Sequence, residues 1–354
     1  MADGNKTIRN VDIAREAGVA NSVVSSYFSG NYYDKRKGAV VGISKETKER
    51  IQRACRTLGY RPTDPSLFME MYPDEADVIF LLNKQSGTFA NKFFSRILDG
   101  LVEEAQTDQV NLCLGWFETD IDYCVQSDKV PRVVKNNPTG KYVLAGQPNY
   151  SLILYLLQSG ARVAYIARHI QISGMISIVP DYCNAAKMAL NYLKDCGHEG
   201  IAVVAERHFH ENDYHTGQLV KGCAEILSGF SYGDVLPCGY NDGQLELLRR
   251  IFKADDAPTG VFCFDGATAI GLMRNLTPMG VRIPEDLSII ICCNDEEYGL
   301  EMNPYMTGVE LPMYRIGQSA FRAVTRFAVE GPPSSAELEV WPVKLFELDS
   351  VGKV

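Results

Sequence analysis

The chain has 354 residues, 46% of them hydrophobic, with 35 lysines and arginines against 44 acids and a net charge of −9. That length accommodates one small domain plus a large two-lobed one, and no 18-residue apolar run provides a membrane span. No charged-then-apolar leader opens the chain, so a cytoplasmic location is expected. Its 10 cysteines lack CxxC or metal-ligand spacing and read as reduced, mostly buried small hydrophobes.

Residues 11–17 and 21–28 predict two short helices that meet at Gly18-Val19, where Gly18 can take the positive φ that closes a tight turn. Ile13, Ala14, Ala17, Val19, Val23, Val24 and Phe28 seal the inner faces, leaving Asn21, Ser22, Ser25 and Ser26 on the outer face of the second helix. A small polar face after so short a turn is what a helix-turn-helix offers to a DNA major groove; an ordinary helical hairpin with a wet face is the alternative. A third helix runs from Ser44 to Leu58. Ser44 is its N-cap, Glu46 lies in its first turn, and Ile51, Ala54, Cys55 and Leu58 form its buried stripe. Gly59 stops it and Pro62 forbids continuation.

Three such helices with a Gly-Tyr-Arg-Pro exit resemble the headpiece of the lactose-repressor/galactose-repressor family of bacterial transcription regulators. The matching residues are Asp12-Ile-Ala-Arg, Ala17-Gly-Val, Val24-Ser25, Gly30, residues 44–50 and Leu58-Gly-Tyr-Arg-Pro62. By this resemblance Asn21 and Ser22 hold the principal base-reading positions, and Asn can pair bidentately with adenine. Val23, Ser25 and Ser26 complete the candidate DNA face. The chain departs from the family there, with Ala20, Val23 and Ser26 where the family usually has Ser, Thr and Arg. Compensation is expected from the loop over residues 31–42, longer than usual for the family, whose Lys35, Arg36 and Lys37 would reach the flanking backbone. Residues 1–70 hold 12 basic against 8 acidic side chains and the remainder 23 against 36, so positive charge gathers where DNA would lie.

Residues 63–75 read as a linker with helical potential, with a plain flexible linker as the alternative. In the resembled family this stretch is a hinge helix that wedges an apolar side chain into the minor groove, a position held here by Met69; Asp64 and Pro65 are departures.

From residue 76 the pattern becomes strand-helix alternation. Strands are predicted at 78–82, 110–114, 142–144, 163–166, 176–179, 201–205, 260–264 and 287–292, with helices at 93–106, 183–196, 215–227 and 244–252. Such alternation predicts a bilobed α/β core, two parallel sheets flanked by helices, with a ligand in the cleft at the carboxyl ends of the strands. The resemblance extends through this region. It rests on Asn91-Lys-Phe-Phe94, Val179-Pro-Asp181, Leu193-Lys-Asp-Cys-Gly-His198, Pro258-Thr-Gly-Val-Phe-Cys263 and Gly280-Val-Arg-Ile-Pro-Glu-Asp-Leu-Ser288. It implies a periplasmic-binding-protein-like core with three crossings between lobes, expected near Gly174, Pro304 and residues 331–335. The expected division is a DNA-binding domain at 1–62, a hinge at 63–75 and a core at 76–354. Within the core, the first lobe would take about 76–174 and 305–332, and the second about 175–304 and 333–354.

The pocket departs from the family. The usual gripping Arg of Arg-x-x-Gly is Leu219, Asn-Asp becomes Asp265-Gly266, and Gly-Phe-Asp-Asp becomes Ile-Cys-Cys-Asn-Asp, which assigns the acidic contact to Asn294 or Asp295. Phe93 and Phe94 offer aromatic stacking, Phe262 or Phe264 a second wall, and His215 borders the cleft. Without the bidentate Arg the expected effector is a small polar molecule, a sugar or related metabolite. Residues 208–215, His-Phe-His-Glu-Asn-Asp-Tyr-His, hold three of five histidines, and alternating His208 and His210 suit a transition metal; effector contact or a solvated loop are the other readings. No bound metal or cofactor is expected. Gly229-Phe-Ser-Tyr-Gly233 fits G-x-S-x-G but follows a helix rather than a strand, and no phosphate-binding loop occurs, so no enzyme is expected.

The sequence thus implies a homodimer (a tetramer is compatible) that binds a near-palindromic double-stranded operator, most simply as a repressor, under control of an effector held between the lobes. The alternative is a bilobed solute-binding protein whose headpiece no longer reads DNA.

Overall fold

The computed structural model describes residues 8–29, 33–34, 39–40, 43–64, 67, 71–72, 77–206, 209–210, 212–238, 252, 257–293 and 296–354. Two helices, α1 (Asn10–Ala17) and α2 (Asn21–Ser29), form the first pair. Gly18 sits between them at φ 62°, and its N–H closes on the Arg15 carbonyl. A two-residue ladder, β1 (Tyr33–Asp34) with β2 (Ala39–Val40), leads to α3 (Lys45–Leu58). The Ser44 hydroxyl accepts from the Thr47 N–H to cap α3, and Gly59 ends it at φ 69°. Ile13, Ala14, Ala17, Val24, Tyr27, Ile51, Ala54 and Cys55 bury together at the junction of the three helices.

Residues 71 and 72, in the stretch expected as a hinge, add to this core. Met71 is fully buried in it, its carbonyl accepts from Arg56 Nη1 at 3.3 Å, and the Tyr72 hydroxyl donates to the Tyr60 carbonyl at 2.8 Å. Asp64 Oδ1 accepts from the Leu67 N–H at 3.1 Å, so this departure from the family acts as a turn cap. Met69 and Pro65 lie outside the described residues.

Two six-stranded sheets make the core. The first runs β13 (Glu337–Trp341), β7 (Met175–Pro180), β6 (Arg162–Ile166), β5 (Lys141–Ala145), β3 (Val78–Asn83), β4 (Leu112–Phe117), parallel throughout. The second runs β14 (Lys344–Phe346), β12 (Gly308–Glu310), β11 (Ser288–Cys293), β10 (Gly260–Cys263), β8 (Ile201–Glu206), β9 (Leu236–Cys238), with only β14 antiparallel. Helices on both faces explain why β3 is buried at every position. Val78, Phe80 and Leu82 face one apolar cluster, Ile79 and Leu81 the other. Among the described residues no helix is long and apolar enough to cross a membrane.

The crossings between lobes differ from those expected. β7 completes the first sheet, so the chain crosses after Pro180 rather than near Gly174. β12 belongs to the second sheet, which moves the next crossing from Pro304 to about 311–312. Gly331 does end the helix Met313–Glu330, at φ 93°, but the chain then re-enters the first sheet as β13 and crosses only at 342–343. Strand 175–180 therefore belongs to the first lobe, strand 308–310 to the second and strand 337–341 to the first. The first and third crossings are tied together, since the Asp181 N–H donates to the Trp341 carbonyl at 2.9 Å.

Close backbone approach holds each lobe. In the first, Gly100 of the helix Lys92–Thr107 lies against the Tyr314 carbonyl and Gly317 against that of Ile97, with a bidentate Arg322–Glu104 pair at 2.7–2.8 Å beside them. In the second, Gly222 of the helix Tyr214–Ile226 abuts the Cys183 carbonyl of the helix Tyr182–Asp195. The glycine of the family's Arg-x-x-Gly pattern thus serves helix packing.

The Leu-x-x-x-Gly-His signature also has a structural reason. Gly197 turns the chain at φ 96° after the helix Tyr182–Asp195, and His198 is buried. Its Nδ1 pairs with Thr259 Oγ1 at 2.9 Å and its Nε2 with the Gly352 carbonyl at 3.1 Å, clamping the C-terminal tail. Burial is the main cause that depresses the pKa of this ring, so the fold favours the neutral imidazole. A base with a lowered folded pKa stabilises the fold above its unfolded value, about 6.5, and that contribution is lost as pH falls through the folded pKa. The second lobe is therefore expected to melt at lower temperature as pH drops below about 6.5, and His198→Gln to flatten that dependence in calorimetry. A dependence unchanged by the substitution would assign it elsewhere.

Candidate nucleic-acid interface and effector cleft

In the headpiece, α2 exposes Asn21, Ser22 and Ser25, while Ser26 is half-buried. Val23, expected both in the seal and on the DNA face, is half-buried against the headpiece core, which makes it the inner margin of that face. The turn before α2 is locked by a residue the sequence reading passed over. Arg50 of α3 donates from Nε and Nη2 to the Ala17 carbonyl at 3.0 and 2.7 Å, and from Nη2 to the Gly18 carbonyl at 2.8 Å. These carbonyls end α1, where a cation is favoured by the helix dipole as well as by hydrogen bonding. The guanidinium thereby fixes the angle at which α2 leaves the turn. Lys35, Arg36 and Lys37 lie outside the described residues.

In the core, Phe93 and Phe94 begin the helix that follows β3, with rings 5.2 Å apart at 88°; Asn91 caps the helix by accepting from the Phe93 N–H at 2.9 Å. Phe94 is buried and Phe93 half-buried. At the carboxyl ends of the second sheet runs a chain of aromatic contacts whose members Phe262, Phe264, Phe209 and Tyr182 are buried. Phe262 meets Phe264 (5.6 Å), Phe264 meets Phe209 (5.6 Å) and Phe209 meets His215 (5.1 Å). His215 meets Tyr182 at 6.1 Å, Tyr182 meets Tyr214 at 6.4 Å, and Tyr214 meets His169 of the first lobe at 5.8 Å. Burial is the main cause that raises the Tyr182 and Tyr214 hydroxyl pKa values, so both stay neutral near pH 7.

Phe262, Phe264 and His215 thus share one array, with Phe262 fully buried behind Phe264. Leu219, named for the effector contact, is 1% exposed and packs in the core, so it supplies no polar grip. Asp265 caps the helix Gly266–Leu276 by accepting from the Thr268 N–H at 2.6 Å. Asn294 and Asp295 lie outside the described residues, as does His208; His210 is exposed. Among the described residues no group of three His, Cys, Asp or Glu side chains could hold a metal. The sequence reading missed Arg168, which follows β6 and pairs with Asp213 of the other lobe at 2.9 Å. The signal was available, because residues just past a strand's carboxyl end face the crevice of such sheets.

A three-helix headpiece joined to a core of two six-stranded sheets defines the architecture of a helix-turn-helix unit on a two-lobed, periplasmic-binding-protein-like body. Residues 190–351 match the family described as periplasmic binding protein-like domain. Over 97% of its length the chain is 27% identical to the HTH-type transcriptional repressor PurR of Vibrio vulnificus (strain CMCP6), covering 98% of that protein. It is 25% identical to catabolite control protein A of Priestia megaterium over 89% of this chain and 91% of that one. The fold is shared with a solved transcriptional regulator CelR-cellobiose complex, at TM-score 0.63 and 20% identity, covering 97% and 99% of the two chains. It is also shared with a LacI family transcriptional regulator from Enterococcus faecium with bound ribose, at TM-score 0.63 and 19% identity, covering 78% and 99%. Over nearly its full length the chain is similar to transcription regulators of the lactose-repressor/galactose-repressor kind, and it shares their fold.

Proposed function

We propose that this protein is a sequence-specific DNA-binding transcription regulator, a repressor, controlled by a small polar effector held between the lobes. The observation that carries the reading is the headpiece. A short helix exposes Asn21, Ser22 and Ser25 directly after a turn whose geometry Arg50 fixes. Small polar side chains let such a helix sit deep in a major groove, where Asn21 would pair with adenine and Ser22 with a neighbouring base. The related proteins named as repressors support the same assignment.

The regulator acts as a homodimer on a near-palindromic operator inside the cytoplasm. Leu114 and Trp116 on the edge strand β4 are exposed, at 47% and 40%, and a bare apolar edge is a surface that a second copy covers. In the cleft, the half-buried rings of Phe93 and Tyr214 stack on a flat or hydroxylated ligand, with Phe264 packed behind as core. The effector works by binding one lobe arrangement more tightly than the other, which resets the two hinge segments and with them the spacing of the headpieces. The two relatives solved with cellobiose and ribose support a sugar or related metabolite.

Retardation of an operator duplex across a salt series tests the DNA assignment. The slope of log affinity against log salt becomes shallower by about 0.9 for every phosphate that a side chain ceases to neutralise. Replacing Lys35, Arg36 and Lys37 by alanine is expected to flatten that slope and weaken binding to all sequences alike. An unchanged slope would remove the loop from the interface. Failure of the unaltered protein to retard any duplex would favour the solute-binding alternative.

A further inference from the structure

We propose that the Arg168–Asp213 ion pair is a latch that holds the two lobes closed over the cleft with no effector present. Arg168 follows β6 of the first sheet, and Asp213 precedes the helix Tyr214–Ile226 of the second lobe. Their charged atoms lie 2.9 Å apart, and the two side chains are only 16% and 14% exposed. Both charges have already left most of their water, so their attraction is screened far less than that of a surface pair. Removing one partner while the lobes stay closed would leave the other charge buried and uncompensated, so the loss of either side chain favours opening. The neighbouring residues continue the contact, with the His169 ring edge-on to Tyr214 at 5.8 Å.

A single point of contact would act as a pivot. The lobes also meet elsewhere, where Arg96 reaches Glu297 at 2.7 Å and Lys92 pairs with Glu301. These two carboxylates are 80% and 61% exposed, so the pairs contribute little strength. They add direction. Their helix follows β3, fifth in the order of the first sheet, whereas Arg168 follows β6, third in that order. Pinning at two separated strands opposes twisting as well as opening. The closed shape is thus held by the chain's own contacts, and an effector enters by a transient release of Arg168 from Asp213.

The latch concerns lobe closure alone, so it stands or falls apart from DNA binding. Small-angle X-ray scattering of the full chain without added ligand tests it. Arg168→Met is expected to raise the radius of gyration by roughly 1 Å, the size of a hinge opening, and salt to move the unaltered protein little, because the pair is largely shielded from ions. The charge-reversed double variant Arg168→Asp with Asp213→Arg is expected to return to the closed value, which a folding defect in the single variant would not do. Scattering of Arg168→Met identical to that of the unaltered protein would overturn the proposal. So would a double variant as open as the single one.

Discussion

Gly100→Val is expected to destabilise the first lobe by more than about 3 kcal/mol and to lower its melting transition by roughly 10 °C. A Cβ at position 100 would penetrate the Tyr314 carbonyl, and the clash is with backbone, which no rotamer change relieves. The reciprocal approach of Gly317 to the Ile97 carbonyl means that the two helices must separate along their whole contact. That separation loosens the buried row of Ile97, Leu101, Ile316, Ala320 and Phe321 and strains the Arg322 grip on Glu104. Gly233→Ala is the control, because the nearest side chain to its added carbon is Ser231 Oγ at 3.6 Å. Differential scanning calorimetry of both variants checks the claim, and a first-lobe transition unmoved by Gly100→Val would contradict the crossing.

Asn21→Ala is expected to weaken binding to the cognate operator by roughly 10- to 100-fold while leaving non-specific binding nearly unchanged. A bidentate amide–adenine contact is worth about 1–3 kcal/mol of discrimination, and each 1.4 kcal/mol is about tenfold. Asn21 opens α2 on its exposed face and carries no formal charge, so its removal leaves the salt dependence alone. Competition with random duplex at fixed salt separates the two effects. An equal loss on both kinds of DNA would assign Asn21 to the phosphate backbone instead of the bases.

The headpiece was legible because its signals are local. Gly18 and Gly59 take the positive φ their positions imply, Ser44 caps α3, and Ile51, Ala54 and Cys55 share the buried stripe that their spacing dictates. The strand-helix alternation was legible for a similar reason, since β3 and β8 each hold five consecutive apolar residues and β5 four, while Ser177 is the one polar residue within β7. Lobe membership was not. Whether residues 175–180 or 308–310 join one sheet or the other depends on partners far along the chain, and Gly174, Pro304 and the break at 331–335 mark turns without saying which lobe follows. A short edge strand such as β14, with three residues, carries too few to display a period.

The cleft was read in part. Motif position singled out Phe264 and His215, which the structure joins through Phe209. The same logic put Leu219 in the pocket because a relative's arginine stands there, whereas an apolar side chain on that helix turns to the core. Arg168 escaped notice because its partner Asp213 comes from the other lobe, 45 residues on, a pairing that only the folded arrangement creates.

The most direct test is selection of genomic fragments. Full-length protein at low ionic strength is mixed with sheared DNA from its own genome, with and without candidate metabolites, and the retained fragments are sequenced. Enrichment of fragments that share one near-palindromic site, with occupancy altered by a metabolite that also raises the melting temperature of the core, is the predicted result. Retention of no sequence above the random background, under any metabolite, would contradict the account and leave a two-lobed ligand receptor with an idle headpiece.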